Sequence, residues 1–271
     1  MLKNLTRSSQ NFRYSSNVSL VTLYVLSYHF FLGNIATDST FFFLSNITTD
    51  ERFFFFHSEN RTLDVDADIV FLLDASSFVS RENFVKEKDF VKSMAKVLNV
   101  APGSSRAAVI LIGTFPDTKV TFNEYRTLRD FNELVDKAQS FGGSRRIDRA
   151  LEEASKVLVD RRRGVPHVVV LVTGGKQSES GNNIPFENAV KPLDKIGAHT
   201  FVVAIGHDPD TLKNVLPVPS FNDLQSRVYK MARQIKTTSG KYFHYVGGFP
   251  CNLSKLLQND FQSSDHQILH L

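Results

Sequence analysis

The chain has one cysteine in 271 residues, Cys251, so no disulfide can close within it. That thiol is left as a small buried hydrophobe, a free thiol or a bridge to another chain. Phosphate-cradling loops are missing as well. No Lys-Ser or Lys-Thr follows Gly142-Gly143-Ser144 or Gly174-Gly175, and no G-x-G-x-x-G follows the first core strand, which leaves these as turn glycines. No G-x-S-x-G elbow frames a serine, so Ser76, His167 and Asp74 form a triad on paper only. His207 reads as a loop residue, and His244 and His266 have no partners at metal-ligand spacing. Together these absences predict a protein that is not an enzyme. There is also no Arg-rich arm and no aromatic-basic alternation, which excludes the usual nucleic-acid modules.

What is present is an ordinary globular composition, 42% hydrophobic and 22% charged, with a formal net charge of +4. The cations are spread along the chain except at Arg145-Arg146 and Arg161-Arg162-Arg163; the latter cluster leaves room for a heparin-like polyanion. Asparagine sequons stand at Asn4, Asn17, Asn46, Asn60 and Asn252, a set that leans toward secretion, with Asn46, Asn60 and Asn252 as the glycosylation candidates.

Three segments differ in character. Residues 1–62 form an N-terminal extension: Lys3, Arg7 and Arg13 lead into an apolar run over residues 18–33, in the manner of a signal or anchor. The run is short for a membrane span and is interrupted by Ser27 and His29, so the membrane is a partner only if this segment is an uncleaved anchor. Two phenylalanine clusters follow, Phe41-Phe42-Phe43 and Phe53-Phe54-Phe55-Phe56, suited to a hydrophobic arm. Residues 63–236 form the main domain, and residues 237–271 a C-terminal tail.

In the main domain, strand and helix signals alternate. Continuous apolar runs at 69–73, 107–112, 165–172 and 200–205 read as buried parallel strands. Residues 119–122 alternate as an edge strand does. Helices are predicted over 82–98, 128–138, 147–159 and 186–196, the last with Pro192 positioned to split or kink it. Phe84, Phe90, Phe131 and Phe141 fall on apolar faces and are expected in the core. The last strand is expected at 215–218, with 242–246 as a second candidate. The pattern predicts an α/β fold: a doubly wound, mostly parallel sheet with helices on both faces and one antiparallel edge strand.

Asp68-Ile69-Val70-Phe71-Leu72-Leu73-Asp74-Ala75-Ser76, with Asn83-Phe84 and Phe90-Val91, resembles the opening of a von Willebrand factor type A domain. Gly142-Gly143 with Ala150-Leu151, the run from Val168 through Thr173-Gly174-Gly175, Val202-Val203-Ala204-Ile205-Gly206, and Ser220-Phe221 with Leu224 resemble its later landmarks. The resemblance covers residues 66–236 and is strongest toward the A domains of collagen type VI and matrilins. It implies adhesion or matrix assembly through a Mg²⁺ site whose ligands are Asp-x-Ser-x-Ser, a threonine and a Thr-Asp-Gly aspartate.

Asp74 and Ser76 match that ligand set, but the second serine falls on Phe78, the threonine on Arg145 and the aspartate on Gly174. One carboxylate and one hydroxyl beside a guanidinium make a poor cage for an ion that demands octahedral oxygen geometry. No cofactor and no Mg²⁺ in the family's manner are therefore expected, with Arg145 standing in for the cation against Asp74. In the competing reading Asp74 only caps its turn while Arg145 faces solvent. A further alternative is a metal-dependent receptor-type domain, its site rebuilt from Asp74, Ser76 and Asp148. The candidate partner-binding residues are Asp74, Ser76, Ser77, Arg145, Arg146, Gly174 and Lys176. The partners implied are extracellular matrix or cell-surface proteins, collagen or a second copy among them, and the implied location is extracellular.

Overall fold

In the computed structural model of the chain, residues 62–179, 181–206 and 214–239 are described, with three short strands ahead of them. Those strands, β1 (Ser8–Ser9), β2 (Leu23–Ser27) and β3 (Thr40–Leu44), form an antiparallel sheet of their own in the order β1-β2-β3. Residues 1–60 and residues 61–271 are two separate units. β2 falls in the apolar run read as a signal or anchor, and β3 carries Phe41, Phe42 and Phe43. The five sequons, Phe53 to Phe56, His207, the alternative last strand at 242–246, His244, Cys251 and His266 lie outside the described residues.

Apolar runs without alternation demand cover on both faces, and the second unit supplies it. Its strands are β4 (Asp68–Asp74), β5 (Arg106–Ile112), β6 (Asp117–Val120), β7 (His167–Thr173), β8 (His199–Ile205) and β9 (Val215–Val218). They form one sheet in the order β6-β5-β4-β7-β8-β9, parallel except for β6, which pairs antiparallel at the edge. The helices are α1 (Arg81–Val97), α2 (Leu128–Lys137), α3 (Ile147–Val157), α4 (Phe186–Lys195) and α5 (Leu224–Ser239). Because side chains alternate along a strand, Ile69, Phe71 and Leu73 join one core with residues of α1, α2 and α5, whereas Val70 and Leu72 join a second with residues of α3 and α4. The doubly wound arrangement is thus the one the sequence predicts.

The differences from the sequence reading are local. The edge strand begins at Asp117, two residues early, and α5 runs to Ser239, past the expected boundary at 236. Pro192 sits inside α4 without dividing it. Among the described residues the last strand is β9, which pairs with β8 at the position first expected.

At the amino end of the sheet a buried carboxylate ties three segments together. Asp68 accepts from Arg106 Nε and Nη2 at 2.9 and 2.7 Å and from Arg162 Nε at 2.9 Å. Burial pushes its carboxyl up, but those charged donors outweigh burial and hold it below the ordinary range. His167 opens β7 at this same end, its ring nitrogen 3.0 Å from the Arg162 carbonyl. Asp74 closes β4 at the other end, about 20 Å away by strand rise. The paper triad of Ser76, His167 and Asp74 is therefore not assembled.

Candidate functional site

β4 and β5 are parallel neighbours, so the loops that follow them emerge side by side at the carboxyl end of the sheet, where open α/β folds place their ligand sites. Asp74 is fully buried there. Its Oδ1 accepts from the Ser76 hydroxyl at 2.6 Å and from the Ser76 amide at 3.1 Å, which closes the turn out of β4. Its Oδ2 is met by Nε of Arg145, the pairing expected from the sequence, in an ion pair whose two side chains are 6% and 0% exposed. Arg145 does not face solvent. Asp74 makes both the turn contacts of one sequence reading and the ion pair of the other.

Arg145 is fixed from several sides. Its amide donates to Ser178 Oγ at 2.9 Å and its Nη1 to the Lys176 carbonyl at 3.2 Å. Its guanidinium stacks on the Phe78 ring at 4.8 Å. Room for the fork comes from Gly175: a Cβ added there would lie 2.1 Å from Arg145 Nη1. The residues at 78, 145 and 175 thus work as one unit around Asp74.

The adjoining loops are knitted by hydroxyls. Gly143 donates its amide to Ser77 Oγ at 2.8 Å, and Ser77 returns its own amide to the Gly143 carbonyl at 3.0 Å. Ser144 donates to Thr114 Oγ1 at 3.0 Å. Gly142 and Gly143 have φ of 78° and 82°, a left-handed region that glycine reaches without steric cost.

Several expectations change here. Arg146, proposed as a partner contact, is 4% exposed and grips Asp148 through two bonds of 2.9 and 2.7 Å. Asp148 Oδ2 also accepts from the Ile184 amide at 2.8 Å. Burial pushes the Asp148 carboxyl up, and the Arg146 and backbone donors outweigh it and hold it low. With both oxygens hydrogen-bonded and the Arg146 guanidinium against them, Asp148 is a poor donor for a shifted metal site. Asp74, Ser76 and Arg145 are likewise buried and engaged, so they shape the face without reaching a partner. Of the proposed contact residues, Ser77 and Lys176 are exposed and Gly174 is half-buried. Phe141, expected in the core, is 48% exposed because its ring lies over the bare backbone of Gly113, where a Cβ would meet it at 2.0 Å.

One buried residue escaped the sequence reading. Glu87 on α1 is fully buried, and its Oε2 accepts the Asp74 amide at 2.9 Å, while its Oε1 has no partner among the described residues. Burial, reinforced by the Asp74 charge, pushes its carboxyl well above the ordinary glutamate range. Its spacing of three from Phe84 and from Phe90 places it in the apolar stripe of α1, a signal that was available in the sequence.

The donor set does not fit a divalent cation. Mg²⁺ needs about six oxygens in near-octahedral array, whereas both Asp74 oxygens are already hydrogen-bonded, one of them to a guanidinium, and Phe78 and Gly174 offer no side-chain oxygen.

Comparison with known proteins agrees with this architecture. The von Willebrand factor type A domain family matches residues 68–239. The mouse von Willebrand factor A domain-containing protein 1 is 30% identical over 147 residues, covering 53% of this chain and 34% of its own. The mouse collagen alpha-4(VI) chain is 23% identical over 177 residues, covering 62% of this chain and 7% of its own, and human vitrin is 23% identical over 158 residues, covering 57% and 23%. The chain thus spans about a third or less of the length of these relatives. Among solved structures, proximal thread matrix protein 1 of the mussel byssus, determined with a zinc-occupied metal-ion-dependent adhesion site, superposes with a TM-score of 0.56 at 23% identity, covering 63% of this chain and 46% of that one. With that family matched across most of the chain, the protein belongs to the von Willebrand factor type A domain family.

Proposed function

We propose that this chain is a non-enzymatic, extracellular protein-interaction module whose adhesion site works without metal. The observation that carries the reading is the Arg145 guanidinium against Asp74, in the position a cation would need. A fixed positive charge there supplies what the ion supplies to the loops: it neutralises the buried carboxylate and holds the neighbouring turns in register. Affinity then comes from loop side chains on a rigid sheet. The matrix setting is supported by similarity to a collagen VI chain and to vitrin. Among the described residues no helix is long and apolar enough to cross a membrane.

Thermal unfolding in EDTA and in excess Mg²⁺ tests the metal-free reading. An ion at one hundred times its Kd stabilises the native state by about 2.7 kcal/mol, a rise of roughly 5–10 °C for a domain of this size. The two curves are expected to coincide; a rise of that order with Mg²⁺ overturns the reading.

A further inference from the structure

The described residues expose three phenylalanines, and all three lie at the carboxyl end of the sheet. Phe78 is 55% exposed, Phe115 69% and Phe141 48%. The hydroxyl-to-amide bonds of the site join their loops: Ser77 with Gly143 draws the Phe78 loop to the one after Phe141, and Thr114 with Ser144 draws in the Phe115 loop. Each ring is held from behind. Phe78 rests on Arg145 at 4.8 Å, Phe115 on Arg149 at 4.9 Å, and Phe141 on the Gly113 backbone. Rings fixed in this way lose little freedom on being covered, and buried aromatic anchors carry much of the energy in protein interfaces.

The arginines beside them lack acidic partners. Arg149 stacks beside Phe115 and donates to the Thr114 carbonyl at 3.0 Å, but neither it nor Arg81, which opens α1 just after Phe78, has a carboxylate partner among the described residues. Asp74 and Asp148 are buried and matched by Arg145 and Arg146, and the more exposed Glu82, Asp117, Glu153 and Glu179 on the neighbouring segments are each paired with a lysine, Lys86, Lys119, Lys156 and Lys176. The face therefore presents apolar rings with uncompensated cations at their edge.

From this complementarity we infer that Phe78, Phe115 and Phe141, with Arg149 and Arg81, form a docking surface for a protein segment carrying apolar side chains next to carboxylates. The inference rests on the metal-free reading, since a coordinated ion would set a different polarity at the centre of this face. The guanidinium groups at the rim attract the segment's carboxylates, and the rings supply the contact area.

Selection of random displayed peptides on the purified full-length chain in EDTA tests this, with the recovered peptides resynthesised and their affinities measured. Enriched peptides are expected to combine aromatic or aliphatic residues with Asp or Glu. Their affinity should fall about tenfold with Phe115→Ser and several-fold with Arg149→Glu, and weaken as salt rises. Phe115 is the most exposed of the three rings, so this variant should keep the fold; the triple variant of Phe78, Phe115 and Phe141 to Ser, checked by circular dichroism, should abolish binding. Failure to enrich any peptide, enrichment of basic peptides, or equal binding to wild type and Phe115→Ser overturns the docking surface. Self-association lost with Phe115→Ser, in place of peptide binding, overturns the assigned occupant. Peptides that bind only when Mg²⁺ is restored overturn the metal-free reading instead, so the two failures are distinguishable.

Discussion

Replacing Arg145 with methionine keeps most of the side-chain volume and removes the charge, and its cost can be worked from the contacts of the pair. Asp74 is fully buried, and its Oδ1 is already committed to Ser76, so the guanidinium is the cation that Oδ2 meets. Removing one partner of a buried pair leaves an uncompensated charge, at a cost of about 3–5 kcal/mol. For a domain of this size that lowers the melting midpoint by roughly 6–20 °C. Denaturant unfolding of Arg145→Met, Asp74→Asn and the double variant forms a closed cycle. The double variant should cost clearly less than the two singles together, because it removes both charges and not one. If Arg145→Met costs under about 1 kcal/mol, the level of a solvent-exposed pair, and the cycle shows no coupling, the stand-in role assigned to Arg145 is wrong.

Glu87 makes a pH prediction. Burial and the Asp74 charge raise its folded value above the unfolded value near 4.5, so folding takes up a proton. The stability tied to that proton is complete below the unfolded value and is lost as pH rises toward the folded one. Glu87→Gln should therefore gain stability relative to wild type from pH 5 to 8 by chemical denaturation; a constant difference across that range refutes the assignment. Gly175→Ala should destabilise by about 1–3 kcal/mol through collision with Arg145, and should cost much less in the Arg145→Met background. Expressed in secreting cells, the chain should reach the medium with glycans on Asn60 and Asn252; an unglycosylated cytosolic product contradicts the extracellular assignment.

The sheet and its helices were readable because buried parallel strands demand unbroken apolar runs, and Ile69 to Leu73 or Val168 to Val172 allow few other readings. The pairing of Arg145 with Asp74 was one of the two readings the sequence allowed, and the structure contains it. What failed depended on neighbours distant in sequence. Phe141 was assigned to the core because nothing near it shows that Gly113 would offer a bare shelf at the surface. Arg146 was assigned to the surface because adjacency to Arg145 does not show that its fork closes on Asp148. Glu87 was passed over although its spacing from Phe84 placed it inside, because a lone carboxyl in an apolar stripe needs Asp74 above it to make sense.

Calorimetric titration of the purified, EDTA-treated protein with Mn²⁺ and Mg²⁺ tests the central claim most directly. With Arg145 seated against Asp74, neither ion should bind more tightly than about millimolar, as expected where too few oxygens are free to replace an ion's waters. Micromolar binding that disappears on Asp74→Ala would show that the cation, and not the guanidinium, completes this site.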